Sequence, residues 1–155
     1  MTKGRYHQVD TETGEIIEGY NAVITPKRRN GFGTRWVAVN QDPLEIFATS
    51  SLRGDDFRVL FLMMSRLEFE NYIVTPQVEV AETLGLRPQH VNKSIKRLKD
   101  MEALLEGPKM GHFRSYKLNP EFGWKGSAKN HNKALEERRK VAGLRLIDGG
   151  IGATV

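Results

Sequence analysis

Thr75-Pro76-Gln77-Val78-Glu79-Val80-Ala81-Glu82-Thr83-Leu84-Gly85-Leu86-Arg87-Pro88-Gln89-His90-Val91-Asn92-Lys93-Ser94-Ile95-Lys96-Arg97-Leu98-Lys99-Asp100 contains two apolar patterns of helical period with a glycine between them. Thr75-Pro76 predicts a helix start, since a threonine hydroxyl can cap free backbone N–H groups and proline is tolerated at the first helical position. Val80, Ala81 and Leu84 supply the buried face, and Gly85 ends the helix because glycine enters the left-handed region at little steric cost. Ala81 is small, as two helices crossing steeply over a short turn require. Leu86 then plugs the corner, Pro88 opens the second helix, and Val91, Ile95 and Leu98 anchor it at helical spacing. Cap, small residue, turn glycine, plug and second stripe share one register, which predicts a helix-turn-helix over residues 75–100.

The remaining faces of the second helix are polar. Gln89 and Asn92 can pair bidentately with adenine, Lys93 can reach guanine acceptors, and His90 donates or accepts according to its tautomer. Gln89, His90, Asn92 and Lys93 are therefore the candidate base-reading residues of a helix lying in a major groove. Thr75, Arg87, Lys96, Arg97 and Lys99 are candidates for phosphate contact, which adds affinity without sequence preference. An amphipathic helical hairpin whose polar face is solvated or binds protein would show the same string.

Downstream, Ala103-Leu104-Leu105-Glu106 and Phe113-Arg114-Ser115-Tyr116-Lys117-Leu118 read as strands around the loop Gly107-Pro108-Lys109-Met110-Gly111-His112. This hairpin, residues 103–118, sits where a wing would follow, and places Lys109, His112 and Arg114 near its tip as further phosphate or minor-groove candidates. An ordinary surface hairpin has the same pattern. Phe122 and Trp124 are expected to pack on the domain, because base-stacking surfaces belong mainly to single-strand binders. Residues 127–155 turn basic and polar, with a helix expected over 133–141 and a mobile glycine-rich end. Arg138, Arg139 and Lys140 could meet phosphate there, but Glu136 and Glu137 partly offset them.

Upstream, Phe57, Leu60, Phe61, Met64 and Leu67 recur at three- and four-residue spacing and predict the most buried helix over 56–69. Trp36-Val37-Ala38-Val39 reads as a strand, and Asp42-Pro43 as the N-cap and first-turn proline of a short helix. Thr13-Gly14 supplies turn chemistry, and Ile16-Ile17 is expected to form a terminal hairpin with residues 20–24. Residues 26–33 form a basic, glycine-rich loop that either touches phosphate or is solvated. The expected fold class is α+β: a winged helix-turn-helix core over 36–126, an N-terminal β-hairpin extension and basic loop over 1–35, and a C-terminal basic tail over 127–155.

A chain of 155 residues suffices for one compact domain with tails. Its net charge of +5 favours nucleic acid only weakly by itself. The placement says more: residues 52–82 hold three basic against six acidic side chains, and residues 87–117 hold eight against three. The absence of cysteine removes disulfides, thiolate zinc sites, iron–sulfur clusters and cysteine catalysis together. No apolar run approaches the ~20 residues that cross a bilayer, and no apolar segment follows the first residues, so a cytoplasmic protein with no membrane role is expected. A nicking enzyme would need a tyrosine nucleophile and clustered metal-binding histidines. His7, His90, His112 and His131 are scattered, Tyr6, Tyr20, Tyr72 and Tyr116 read as packing or surface residues, and Gly31-Phe32-Gly33 lacks the later glycine and lysine of a phosphate-binding loop. No enzyme, catalytic residue, metal site or cofactor is expected.

The order of a Thr-Gly-Glu turn, helices, helix-turn-helix, hairpin and Leu118-Asn119-Pro120-Glu121-Phe122 resembles the RepL family of plasmid replication proteins over residues 10–126. The resemblance implies binding of double-stranded DNA at a plasmid origin and a start of replication through host replication proteins. The basic loop at 26–33 and the stretch after Gly126 depart from the usual pattern. A transcriptional repressor would use the same DNA chemistry, and an adaptor would use the winged helix without DNA. Winged-helix proteins often pair on repeated or palindromic sites, so a homodimer on DNA is the expected assembly, although no heptad fixes it.

Overall fold

A computed structural model describes residues 8–9, 12–17, 31–33 and 35–151, which fall in two units, Met1–Arg35 and Trp36–Val155. In the first unit β1 (Gln8–Val9) and β2 (Ile16–Ile17) pair antiparallel, with Val9 opposite Ile16. Gly14 lies at φ +71°, where glycine avoids the Cβ strain of the left-handed region. The Thr-Gly turn thus closes a hairpin, but the partner of β2 precedes the turn. A turn at 13–14 joins the strands that flank it. The expected partner at 20–24 and residues 26–30 of the basic loop lie outside the described residues.

The second unit is a mixed α+β assembly. It runs β3 (Ala38–Val39), α1 (Gln41–Ala48), α2 (Gly54–Ser65), a 3-10 turn (Phe69–Asn71), β4 (Tyr72–Ile73), α3 (Gln77–Leu84) and α4 (Pro88–Asp100). Then follow β5 (Leu104–Met110), β6 (Phe113–Leu118), β7 (Gly123–Trp124) and α5 (Ala128–Ile151). Strands β4, β6 and β5 form one antiparallel sheet with β6 central, and β3 pairs with β7 in another. The core holds Val59, Leu60 and Met63 of α2 with Val80 of α3, Val91 and Leu98 of α4, and Ile73, Leu104 and Leu118 of the sheet. No helix among the described residues is long and apolar enough to cross a membrane.

Four sequence expectations change in detail. The N-cap of α1 is Asn40, whose Oδ1 accepts from the Asp42 N–H at 3.3 Å, so Asp42 lies inside the first turn instead of capping it. Phe61 is 61% exposed, because the buried face of α2 centres on Asp56, Val59, Leu60 and Met63, and Phe61 follows Leu60 by about 100° around the helix. Thr75 does not cap α3. The helix begins at Gln77, so Pro76 is the N-cap and Thr75 stands one residue before it; no side chain caps that end, and Thr75 is only 9% exposed. The fourth change is in the hairpin: β5 continues through residues 107–110, and only Gly111-His112 forms the tip, with Gly111 at φ +60°. Proline reads as a loop signal, yet Pro108 sits at a register shift between Glu106 and Lys109, where a missing N–H is tolerated. A Cβ on Gly107 would lie 2.5 Å from Ser115 Oγ, and the Ser115 hydroxyl donates to Pro108 O.

The junction of α3 and α4 follows its sequence signals. Gly85 is left-handed at φ +64°, its N–H donates to Glu82 O at 3.3 Å and the Leu86 N–H donates to Ala81 O at 3.0 Å. That pair of bonds satisfies the last carbonyls of α3. Nothing lies within 4 Å of the position that a Cβ would take at Gly85, so Gly85→Ala is a test of backbone strain alone. The substitution is expected to cost ~1 kcal/mol, read as a lower urea midpoint at unchanged slope. A neutral result would show that the left-handed turn is dispensable.

Phe122 and Trp124 pack as expected, at 2% and 9% exposure, with Phe122 edge-on to Phe47 at 4.9 Å. Asn71, 1% exposed and at φ +67°, donates to Leu118 O at 3.0 Å and Gly123 O at 2.7 Å, and accepts from the Lys125 N–H at 2.8 Å. It fastens β6 to β7. Helix α5 is longer than the predicted 133–141 because Ser127 Oγ receives the Asn130 N–H at 3.3 Å, starting the helix earlier. The His131 ring stacks on Trp124 at 4.9 Å and meets Pro120 O at 2.7 Å. Residues 152–155 lie outside the described residues.

Candidate nucleic-acid interface

Helix α4 has the sharpest division of faces. Val91, Ser94, Ile95 and Leu98 are buried, whereas Gln89, His90, Asn92, Lys93 and Lys96 are exposed. At about 100° per residue, Gln89, Asn92, Lys93 and Lys96 make one stripe diametrically opposite the buried face, and His90 stands at its edge beside Arg97. The structure therefore brings three of the four base-reading candidates onto one outward surface, with the fourth flanking them.

The cations divide into two classes. Arg87, the N-cap of α4, and Lys96 are exposed, as are Lys93 and Lys109 near the end of β5; none of these, nor His112 at the hairpin tip, makes an ion pair among the described residues. Arg97, Lys99 and Arg114 do. Arg97 donates from Nε to Asp56 Oδ2 at 2.9 Å and from Nη2 to Asp56 Oδ1 at 3.0 Å, and so serves α2 as well as the surface. Lys99 Nζ is 2.6 Å from Glu106 Oε1, and Arg114 Nη1 is 3.5 Å from the same oxygen. Thr75, already described as buried, is withdrawn from the surface set.

Asp56 is the residue that sequence reasoning missed. It is fully buried, and besides Arg97 it accepts from Ser94 Oγ at 2.6 Å and from the Arg53 N–H at 2.8 Å. Burial pushes its carboxyl up, but the hydrogen bonds from Arg97, the Arg53 backbone and Ser94 outweigh that and hold it below the usual carboxylate value. The bond to Asp56 in turn raises Arg97. Its one local signal was an aspartate three residues into a helix, placed to accept an N-terminal N–H. Helix α2 also grips α3: Arg58 Nη2 donates to Leu84 O at 2.9 Å, and Arg66 bonds Glu79 at 2.5 Å and Thr83 at 3.1 Å. The orientation of both α3 and α4 is thus referred to α2.

Across the hairpin, Lys109 stands opposite Arg114 in register. Like charges facing each other across strands cost free energy unless an anion lies against them. On α5, Arg138 is taken up by Glu102 at 3.1 Å, while Arg139 and Lys140 are exposed. No group of three or more histidines, aspartates or glutamates placed to hold a metal ion occurs among the described residues. The arrangement can present hydrogen-bond donors and acceptors on a helix, flanked by cations on the helix and on the β5–β6 hairpin.

A family model described as Firmicute plasmid replication protein (RepL) matches residues 1–143. Comparison with curated proteins and with solved structures gave no match. The family match extends beyond the 10–126 stretch of the sequence resemblance and takes in both the basic loop at 26–33 and residues 127–143, which that reading set apart as departures.

Proposed function

Because the chain belongs to the RepL family of Firmicute plasmid replication proteins, we propose that it binds double-stranded DNA at its plasmid origin through a winged helix-turn-helix and acts there through host replication proteins, without a catalytic site of its own. In this reading α3 and α4 are the helix-turn-helix, α4 is the recognition helix and the β5–β6 hairpin is the wing. The single observation behind it is the outward stripe of Gln89, Asn92, Lys93 and Lys96 set against a fully buried Val91 and Leu98. A helix so divided can enter a major groove without exposing its core. Gln89, His90, Asn92 and Lys93 read bases. Arg87, Lys96, Lys109 and His112 meet phosphate directly, and Lys99 and Arg114 do so by exchanging a carboxylate partner.

Selection of bound fragments from the surrounding replicon, followed by a footprint, tests the assignment. A footprint at the origin, with loss of replicon maintenance when the coding region is deleted, is the expected result. Protection confined to promoters with maintenance intact would make the protein a regulator. Binding should weaken steeply with salt: the five lysine and arginine contacts to phosphate per protomer give a slope of log affinity on log salt of roughly −4 to −5. Lys96→Ala should weaken cognate and random duplex alike and make that slope shallower by about 1. Absence of salt-dependent binding to any duplex would leave the adaptor reading instead.

A further inference from the structure

We infer that the Glu106 carboxylate is an internal competitor for DNA phosphate that restrains the chain's electrostatic affinity for duplex by engaging Lys99 and Arg114. The inference rests on the DNA-binding reading. Glu106 stands opposite Tyr116 at the last regular pair before the register shift, at the base of the hairpin. Its Oε1 meets a cation from the last turn of α4, Lys99, and a cation from β6, Arg114. Among the described residues it is the carboxylate that joins these two elements.

A carboxylate oxygen receiving charge-assisted bonds from an ammonium and a guanidinium satisfies the same donors that a phosphate oxygen would. A DNA backbone crossing from helix to wing must therefore displace it. The exchange requires no repacking, because the side chains of Lys99, Glu106 and Arg114 are 33%, 56% and 74% exposed. Contact with Lys99, and more weakly with Arg114, favours the ionised form of Glu106, so the competitor keeps its charge at neutral pH. Once displaced, Glu106 faces a polyanion, and that repulsion acts on every duplex regardless of sequence. Binding to non-cognate DNA, which has little besides this electrostatic attraction, is the state most exposed to it.

The test compares the full-length wild type with Glu106→Gln, Glu106→Asp and, as a charge control on the exposed face of α5, Glu136→Gln, by fluorescence anisotropy on a random-sequence duplex over a salt series. Glu106→Gln is expected to bind about 3- to 10-fold more tightly at low salt, with a slope changed by no more than about 1, because Lys99 and Arg114 reach phosphate in both proteins and only the competing carboxylate is gone. Glu106→Asp keeps the charge and should remain within about twofold of wild type, as should Glu136→Gln. A role limited to bracing the wing would make Glu106→Gln weaker, the opposite sign. Wild-type binding together with an unchanged or weakened Glu106→Gln overturns the inference alone. Equal tightening by Glu106→Asp or Glu136→Gln also overturns it, assigning the effect to geometry or to net charge. A wild type that shows no salt-dependent binding removes the DNA-binding reading, and the inference with it.

Discussion

Asp56→Ala is expected to lower the unfolding free energy by ~3 kcal/mol, the larger part of it from groups left without a partner. The substitution removes the acceptor of four hydrogen bonds, from Arg97 Nε and Nη2, Ser94 Oγ and the Arg53 N–H. Ser94 is buried at 1% exposure and has no water to turn to, whereas the Arg97 side chain is 36% exposed and can rotate outward. Partial escape of the cation places the loss at the lower end of the range for a broken buried pair. Asp56→Asn keeps the volume and one acceptor, and should cost less. The sign with pH follows from the depressed carboxyl. The charged-state contribution is complete above the unfolded-state value, near pH 4, and disappears as pH falls through the lower folded-state value. Urea titrations of wild type and Asp56→Asn should therefore differ by a constant amount from neutrality down to about pH 4 and converge below it. A gap that persists undiminished in acid would mean that shape, not charge, makes Asp56 irreplaceable.

How far the sequence could reveal these features depends on how far apart in the chain the causes lie. Gly85, Ala81 and the stripe of Val91, Ile95 and Leu98 obey local rules of helix ends and helical period, and all of them occupy their expected places. The outward set on α4 was legible for the same reason, as the complement of a buried stripe. The pairing of Asp56 with Arg97 spans 41 positions, and no local period announces it. It turned Arg97 from a surface cation into an anchor and rotated the apparent apolar face of α2 away from Phe61. Lys99 and Arg114 were likewise legible as cations but not as partners of one glutamate, since that needs the helix and the hairpin side by side. At Gly107-Pro108 the composition marked an interruption correctly, and the structure resolved it as a strand irregularity in place of a tip. Thr75 shows the remaining limit: the helix starts at Gln77, one residue later than the Thr-Pro signal suggests, so the good capping residue falls one place before the N-cap and is buried.

Under the proposed DNA-binding role, the double substitution Gln89→Ala with Lys93→Ala should weaken cognate binding by roughly 100-fold and random-duplex binding by only a few-fold. Each side chain can make a bidentate base contact worth about 1–3 kcal/mol, but at i and i+4 on one stripe they share a neighbourhood and their losses are not expected to add fully. Only Lys93 also contributes charge, and that part of its loss appears on any duplex as a slope shallower by about 1. Folding should not suffer, because both positions are exposed and alanine is the better helix former. The informative quantity is the ratio of cognate to random affinity at one fixed salt concentration, with Lys96→Ala alongside as a substitution that should leave that ratio unchanged. Equal losses on both duplexes would reassign Gln89 and Lys93 to phosphate, and base choice would then have to lie with Asn92, His90 or the β5–β6 hairpin. A collapse of the ratio with a salt slope shallower by no more than about 1 would instead place sequence reading on the stripe of α4 that the Asp56 anchor, on the opposite side of the helix, holds in position.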